Sequence, residues 1–202
     1  MRSLSVRLYD APKREDVDAV AGRLAAVLEV LGRGDASWAP ACRDPRATVE
    51  RSRRPCEVGG ARTAFGVELA GRVTTLSMIA GVDWPLPSAW IPHQIVVRFR
   101  GGLELGKAAL LLEGLAKVVS PTYGHVAVDE WPRPPLPPFA NDKPVFGYAT
   151  YLRAAPALPP LPPPFITRPL VTGLLIQPRE ADLEHVDRTF VGELARVLAK
   201  VV

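Results

Sequence analysis

Cysteines, histidines and long apolar runs are scarce in this chain of 202 residues. Only two cysteines occur, Cys42 and Cys56, and their spacing alone does not define a disulfide. No window approaches the roughly 18 consecutive apolar residues that a membrane-spanning helix needs. The first residues, MRSLSVRLYDAP, also lack the apolar core of a signal peptide. We therefore expect a cytoplasmic protein whose thiols are reduced.

Short motifs of catalysis and cofactor binding are absent from the sequence as well. It contains no GxGxxG or Walker-type phosphate loop, no GxSxG nucleophile turn and no HExxH zinc helix. The histidines, His93, His125 and His185, are far apart, which favours structural or surface positions over metal ligation. We therefore predict a protein that is not an enzyme and that binds no metal or cofactor.

The bulk composition is that of a globular protein, with 48% hydrophobic and 23% charged residues. A chain of this length buries roughly 70% of its unfolded surface, so its core needs no disulfide or metal to be stable. We expect one domain that spans residues 1–202.

Positive charge is concentrated in one segment, ACRDPRATVERSRR, at residues 41–54. It holds five arginines against Asp44 and Glu50. Binding of single-stranded nucleic acid combines such cations with aromatic side chains that stack on bases. Because this segment has no aromatic residue, we interpret residues 43–54 as a solvated loop, with nucleic-acid binding as the alternative.

Alternating and helical patterns divide the chain into seven predicted strands and three predicted helices. The first strand spans residues 4–10, and the helix after it is predicted to begin at Asp10 and Pro12 and to end at Gly32. The other predicted strands are 63–69, 73–81, 94–100, 125–131, 145–152 and 169–178, and the other predicted helices are 103–119 and 186–201. This order predicts an α+β fold with a largely antiparallel mixed sheet, about three helices packed against it, and proline-rich loops.

Two segments, residues 132–144 and 156–164, hold twelve of the 22 prolines. Such runs favour the extended polyproline II conformation, which cannot join a sheet ladder. The stretch ALPPLPPP resembles a ligand of SH3 domains but lacks the arginine that such ligands place before the core. Stiff loops that join strands are therefore favoured over SH3 docking.

The tryptophans lie outside the periodic core patterns. They are Trp38, after the first predicted helix, and Trp84, Trp90 and Trp131, in proline-flanked irregular segments. Buried loop anchors are the favoured interpretation for at least two of them. Exposed tryptophan beside proline and charge is, however, typical of interface hot spots. We therefore single out Asp129, Glu130 and Trp131 as the preferred contact patch.

Four stretches, spread over most of the chain, follow the patterns of one protein family. They are GDASW, which ends at Trp38, KPVFGYATYL at residues 143–152, VTGLLIQ at residues 171–177, and the closing HVDRTFVGELARVLAK. Together they resemble the immunity protein 52 family of bacterial polymorphic toxin systems. Tyr148 takes the place of a tryptophan in the family's G-W-x-x-Y-L-like strand.

The resemblance implies an α+β inhibitor, encoded beside a toxin, that neutralises this toxin by tight binding and without catalysis. The family is associated with toxins that carry a restriction-endonuclease-like domain and are often delivered by type VI secretion. The predicted partner is therefore a cognate toxin from a neighbouring gene, rather than nucleic acid or a membrane. The alternative is a peptide- or nucleic-acid-binding module that uses the proline and tryptophan loops or the basic residues 43–54. The predicted toxin-binding residues are Trp84, Trp90, Asp129, Glu130, Trp131, Arg133 and Asp142.

The net charge of +4 leaves three modes of inhibition open. An acidic patch around Asp129 and Glu130 could occupy a basic DNA groove of the toxin. Alternatively, the arginines of residues 43–54 could meet the carboxylates of its metal site, or the protein could bind away from the active site. Each mode requires nanomolar affinity, about −12 kcal/mol, over an interface of about 1,600 Å².

Overall fold

The computed structural model of the protein describes nine β-strands and five α-helices, within residues 4–10, 15–32, 36–56, 62–80, 93–100, 104–128, 147–153, 158–179 and 188–198. The strands are β1 (Leu4–Asp10), β2 (Arg53–Cys56), β3 (Arg62–Ala70), β4 (Thr74–Ala80), β5 (His93–Phe99), β6 (Tyr123–Val128), β7 (Thr150–Leu152), β8 (Phe165–Leu170) and β9 (Gly173–Pro178). The helices are α1 (Val17–Val30), α2 (Ala39–Arg43), α3 (Pro45–Arg51), α4 (Leu105–Val119) and α5 (Arg188–Leu198), and a 3-10 turn spans Ala36–Trp38. None of the described helices is long and apolar enough to cross a membrane.

The nine strands form one sheet in the order β2-β3-β4-β5-β1-β6-β7-β9-β8. Every pair of neighbouring strands is antiparallel. Strand β1 occupies the middle of this order and is hydrogen-bonded to β5 on one edge and to β6 on the other. The α+β class with a largely antiparallel sheet, predicted from the sequence, is confirmed.

The apolar core lies between one face of the sheet and the helices α1, α3 and α4. The position of Gly124 on β6 shows which face of the sheet packs against α4. A Cβ atom at Gly124 would lie 2.6 Å from Leu8 Cδ2 on β1 and 3.0 Å from Leu112 Cδ1 on α4. Side chains alternate between the two faces of a strand, so Leu4 and Val6, like Leu8, belong to the core layer.

Helix α1 is capped six residues later than the sequence pattern predicted. Its cap is Asp16, whose Oδ1 accepts a hydrogen bond from the Ala19 amide at 2.8 Å. The predicted start at Asp10 is wrong, because Asp10 is the last residue of β1 and lies buried there. Pro12 lies outside the described residues. Both aspartates precede the apolar pattern, so the sequence alone does not show which one caps the helix. The structure does, because the Asp16 side chain binds an amide of the first turn.

The described part of the chain contains five helices rather than about three. Two of them, α2 and α3, occupy the basic segment that was predicted to be a loop. Local signals explain α3: Asp44 Oδ1 accepts from the Ala47 amide at 2.8 Å, and Pro45 occupies the first turn. Helix α3 packs against α1, which makes this short helix stable. The capping signal of α3 was missed because the high arginine content of the segment favoured the interpretation as a solvated loop.

Three predicted strands have different bounds in the structure. The segment predicted as one strand at 169–178 forms the hairpin of β8 and β9, with a turn at Val171 and Thr172. Of the predicted strand 145–152, the described residues begin at Gly147, and β7 covers Thr150–Leu152. Tyr148 N and Ala149 O are also hydrogen-bonded to Val126 of β6, outside the regular ladder. Strand β6 begins at Tyr123, two residues before the predicted 125–131, and residues 129–131 lie outside the described residues.

The second proline segment leads into the edge strand β8. Its described part, residues 158–164, packs Leu158 and Leu161 against the core. Two of its carbonyl groups are hydrogen-bonded: Pro162 O accepts from Phe165 N at 3.0 Å, and Pro164 O accepts from Arg179 N at 3.1 Å. A segment in which five of seven residues lack an amide donor is thus fixed by its carbonyls and its leucines. The first proline segment, residues 132–144, lies outside the described residues.

An ion pair connects the edge strand β8 to the helix layer. Arg168 on β8 donates a short hydrogen bond to Glu113 on α4, and Lys117 Nζ lies 2.9 Å from the other carboxylate oxygen. The hydrogen bond from Arg168 lowers the pKa of the Glu113 carboxyl, against an opposing effect of burial. Because the pair joins residues far apart in sequence, it helps to hold the β8–β9 hairpin to the core.

The contact of Gly124 with the core predicts a loss of stability in the variant Gly124→Ala. The added methyl group would also lie 2.9 Å from the backbone oxygen of Arg7, which cannot move freely. We expect the free energy of unfolding to fall by about 1–3 kcal/mol. Urea denaturation followed by circular dichroism measures this change.

Gly22→Ala is the matched control. Gly22 is exposed on α1 and has no heavy atom within 4 Å of an added Cβ. Alanine there should stabilise the protein by about 0.5–1 kcal/mol, since it favours the helix. Equal stability of the two variants would contradict the packing described for Gly124.

Candidate functional site: the open face of the sheet

The face of the sheet opposite α4, here called the open face, carries most of the polar side chains of the central strands. On β1 these are Ser5, Arg7 and Tyr9, which alternate with the residues of the core layer. Register places Gln94, Val96 and Arg98 of β5 on one side of them and Tyr123, His125 and Ala127 of β6 on the other. Directly opposed residues of antiparallel strands share a face, so these side chains lie together.

Arg7 is held along β1 by the residues two positions before and after it. Its Nε donates to Ser5 Oγ at 3.1 Å. Burial raises the pKa of the Tyr9 hydroxyl, and the positive charge and hydrogen bond of Arg7 oppose this rise. Arg98 on β5 opposes it in the same way. Both guanidinium groups therefore lie close enough to Tyr9 to act on its charge.

An aromatic stack fills the open face between β1 and β6. The rings of Tyr9 and Tyr123 are 4.8 Å apart and nearly parallel, and the ring of His125 lies 5.8 Å from Tyr9. The residues are only 5%, 9% and 3% exposed, respectively. Burial raises the pKa of the Tyr123 hydroxyl, so the stack is uncharged at neutral pH. These rings are part of the packed interior and are not a platform for a ligand.

His125 is a neutral histidine beside a positive charge. Burial lowers its pKa to about 3, and the charge of Arg7, its neighbour in the register, adds to this effect. Its Nδ1 is buried and has no hydrogen-bond partner among the described residues. The Thr150 side chain shares the same row of the open face from β7. His125 therefore acts here as an aromatic packing residue.

Exposure increases across the open face from β6 towards β4. On the β4 and β5 side, Thr75 and Ser77 are half-buried and Arg98 is exposed. We define the open-face patch as Arg7, Thr75, Ser77 and Arg98. Thr75 lies directly opposite Arg98, and Ser77 lies opposite Val96, the register partner of Arg7. The patch thus combines two guanidinium groups with two hydroxyls.

A second polar cluster lies at the end of the sheet where β1 finishes. Glu15 forms an ion pair with Arg23 of α1, and its Oε2 lies 3.3 Å from Nδ1 of His93 on β5. This last contact is not aligned as a hydrogen bond, and it becomes an ion pair only when His93 is protonated. All three side chains are buried or nearly so. The cluster joins the start of α1 to the start of β5.

Asp10 completes this end of the sheet. Its Oδ1 accepts from Thr122 Oγ1 at 2.8 Å and from Arg153 Nη2 at 3.3 Å. Arg153 Nε also donates to the carbonyl of Pro121 at 3.2 Å. These bonds hold together the ends of β1, β6 and β7. Among the described residues, no three His, Cys, Asp or Glu side chains are grouped so that they could hold a metal ion.

The seven predicted toxin-binding residues all lie outside the described residues. They are Trp84, Trp90, Asp129, Glu130, Trp131, Arg133 and Asp142. Their grouping therefore stays a prediction. Of the tryptophans, Trp38 is described, and it is a buried anchor after α1, only 1% exposed. His93 and His125 are buried, and His185 lies outside the described residues.

The sequence contained one signal for the open-face residues. In LSVRLYD, the leucines and valine predict one buried face of β1, so Ser5, Arg7 and Tyr9 had to occupy the other. Their register partners on β5 and β6 could not be identified in this way, because the alternation of apolar and polar residues within a strand does not show which strands are neighbours. The patch therefore required the tertiary structure.

No family model and no curated protein matches the chain. Among solved structures, the fold is similar to that of PA0821, a type VI secretion system (T6SS) protein of Pseudomonas aeruginosa, with a TM-score of 0.52 and 11% sequence identity. The match covers 100% of this chain and 73% of that chain. At this identity the similarity concerns the fold alone.

The neutral state of His125 predicts a pH-dependent stability. Because its pKa is lower in the folded state than in the unfolded state, the unfolded chain binds the proton more tightly between pH 6.5 and about 3. The free energy of unfolding should therefore fall as the pH drops through this window. Between pH 7 and pH 5 this residue should account for a loss of about 2 kcal/mol.

Urea denaturation of the wild type and of His125→Phe at both pH values tests this expectation. The phenylalanine keeps a planar ring in the stack but cannot titrate, so the variant should lose less stability on acidification. Identical losses in the two proteins would mean that His125 is not the group responsible.

Proposed function

We propose that this protein is an immunity protein that binds and neutralises a bacterial toxin, one that carries a restriction-endonuclease-like nuclease domain and is delivered by a T6SS. The observation that supports this most is the similarity of the fold, over the whole chain, to a T6SS protein. The sequence patterns shared with the immunity protein 52 family point in the same direction. In this proposal the protein acts in the cytoplasm of the toxin-producing cell.

The residues of the family-like stretches have a clear structural role where the structure describes them. Trp38 anchors the turn between α1 and α2, and Tyr151 of β7 is fully buried. Leu175 and Ile176, in the VTGLLIQ stretch, are also fully buried on β9. The family-like stretches therefore supply residues to the core of this fold.

Inhibition in this proposal needs binding alone, without a catalytic step of the immunity protein. The nine-stranded sheet gives a rigid support, so little conformational entropy is lost when its surface binds a partner. An antidote must remain bound for as long as the toxin is present, so we expect a 1:1 complex with nanomolar affinity or better, about −12 kcal/mol.

The alternative of nucleic-acid binding through residues 43–54 has less support. Arg46 Nη1 lies 2.8 Å from Asp18 Oδ1, and Arg46 Nε also pairs with Glu50 Oε1. Arg51 donates to the carbonyl of Ala47, and Arg53 lies over the ring of Phe65 at 5.9 Å. These arginines stabilise α3 and its surroundings, and they do not form a free row that could follow a phosphate backbone.

Co-expression with the product of the adjacent upstream gene tests the proposed function. The toxin alone should stop growth of the host, and the protein should restore growth and co-purify with the toxin. A toxin variant without nuclease activity serves as the control for expression. If a verified toxic neighbour is neither bound nor neutralised, the proposal is wrong.

A further inference from the structure

We infer that prolines close both lateral edges of the sheet to strand addition, Pro169 on β8 and Pro55 on β2. Strands β2 and β8 are the outermost of the nine described strands. The outer edge of such a strand is a template for pairing with another chain, because alternate residues present their amide and carbonyl groups outward. The closure concerns every partner that would add a strand, including a second copy of this chain, and it does not depend on the proposed function.

A hydrogen bond at the start of β8 shows which of its residues point outward. Arg179 N donates to Pro164 O at 3.1 Å, so the backbone of residue 164 faces β9. In an antiparallel pair, successive residues alternate between bonding to the partner strand and pointing away from it. The residues of β8 that face β9 are therefore Ile166, Arg168 and Leu170, and those that face outward are Phe165, Thr167 and Pro169.

Of these three outward residues, only Thr167 offers an amide to another chain. The Phe165 amide donates to the carbonyl of Pro162 at 3.0 Å, and Pro169 has no amide hydrogen. Residues 162–164, which precede the strand, are all prolines. Thr167 and Pro169 are exposed, and the Thr167 amide donates to no described residue. The second proline segment therefore closes this edge together with Pro169.

The edge of β2 is closed in the same way. Gly66 N donates to Ser52 O at 3.1 Å, so residue 52 faces β3, and by alternation Arg54 faces it too. Arg53 and Pro55 then face outward, and Pro55 has no amide to offer. Within its ladder, each of the two outermost strands thus presents a single outward amide. Strand addition depends on a run of main-chain hydrogen bonds, which one amide does not supply.

Pairing of two copies at β8 shows what Pro169 removes. Two such edges would meet antiparallel around a two-fold axis. With Thr167 opposite Thr167 of the second copy, this pair could exchange two backbone hydrogen bonds. The next pairs would place residue 169 opposite Phe165, where an amide at 169 would donate to the outward carbonyl of Phe165. Because Pro169 lacks this amide in both copies, it halves the hydrogen bonds that the pairing could form.

The same closure restricts the way in which a toxin can bind, and this consequence alone rests on the proposed function. An extended segment of the toxin cannot join the sheet as a further strand. The toxin must instead contact side chains on a face of the sheet, in the helix layer or in the loops.

Sedimentation velocity over a wide range of protein concentrations tests the closure with the full-length protein alone. Pro169→Val restores the outward amide of β8. Pro160→Val is the matched control, because Pro160 is also exposed but lies before the strand and outside its ladder. A double variant combines Pro169→Val with Thr167→Pro, which blocks the remaining outward amide without removing a bond of the β8–β9 ladder. Circular dichroism confirms that each variant is folded.

We expect Pro169→Val to self-associate at least about tenfold more tightly than the wild type, because two further hydrogen bonds form between the copies. Pro160→Val and the double variant should remain within about threefold of the wild type, since neither adds an available amide to the edge. If Pro169→Val associates no more than the wild type, Pro169 does not close the edge. Equal association of Pro160→Val, or of the double variant, would mean that the gain does not come from the outward amide.

Amide hydrogen exchange of the wild type, followed by NMR, applies even if Pro169→Val does not fold. The amides of Thr167 and Arg53 should exchange at least about 100-fold faster than those of Ile166 and Arg168, which are bonded within the sheet. Equal protection of Thr167 and Arg168 would contradict the outward direction assigned to residues 167 and 169. Both measurements use the protein without a toxin, so a failure of the proposed function would leave their outcome unchanged.

Discussion

The register of strand β1 is the constraint on which the rest of this structure depends. The strand is hydrogen-bonded on both edges, and six of its seven residues are buried. A slip by one residue would turn Arg7 into the helix layer and Leu8 towards the open face. The apolar core and the polar open face are therefore two consequences of one pairing. Gly124 reinforces it, because no larger residue fits between Leu8 and Leu112.

Polar groups at the end of β1 also hold this register, at the point where the alternation of apolar and polar side chains along the strand stops. Asp10 joins β1 to Thr122 and Arg153, and Glu15 joins the start of α1 to His93. Removal of one partner would leave a buried charge uncompensated, which is costly. Apolar burial is not confined to the helix layer, because Tyr9, Val96 and Tyr123 on the open face are also buried. At its exposed side this face carries Arg98.

The class of the fold could be predicted from the sequence because its causes are local and periodic. Alternation in β1, β3, β4 and β5 and the helical spacing in α1 and α4 each predicted the correct element. Helix α3 was missed because its cap at Asp44 lies among arginines, and the β8–β9 hairpin was missed because a two-residue turn interrupts an apolar run. The open-face patch depends on strand order, which comes from pairing between distant segments. The tryptophans and acids predicted to bind the toxin lie outside the described residues, so that part stays a prediction.

The central claim is that this protein inhibits a nuclease toxin by stoichiometric binding. The most direct measurement is DNA cleavage by the purified toxin, at a concentration well above the expected dissociation constant, as increasing amounts of the protein are added. The account predicts that the cleavage rate falls linearly and reaches zero at one equivalent, as for a tight 1:1 inhibitor. An unchanged cleavage rate in the presence of a large excess of the folded protein would contradict it.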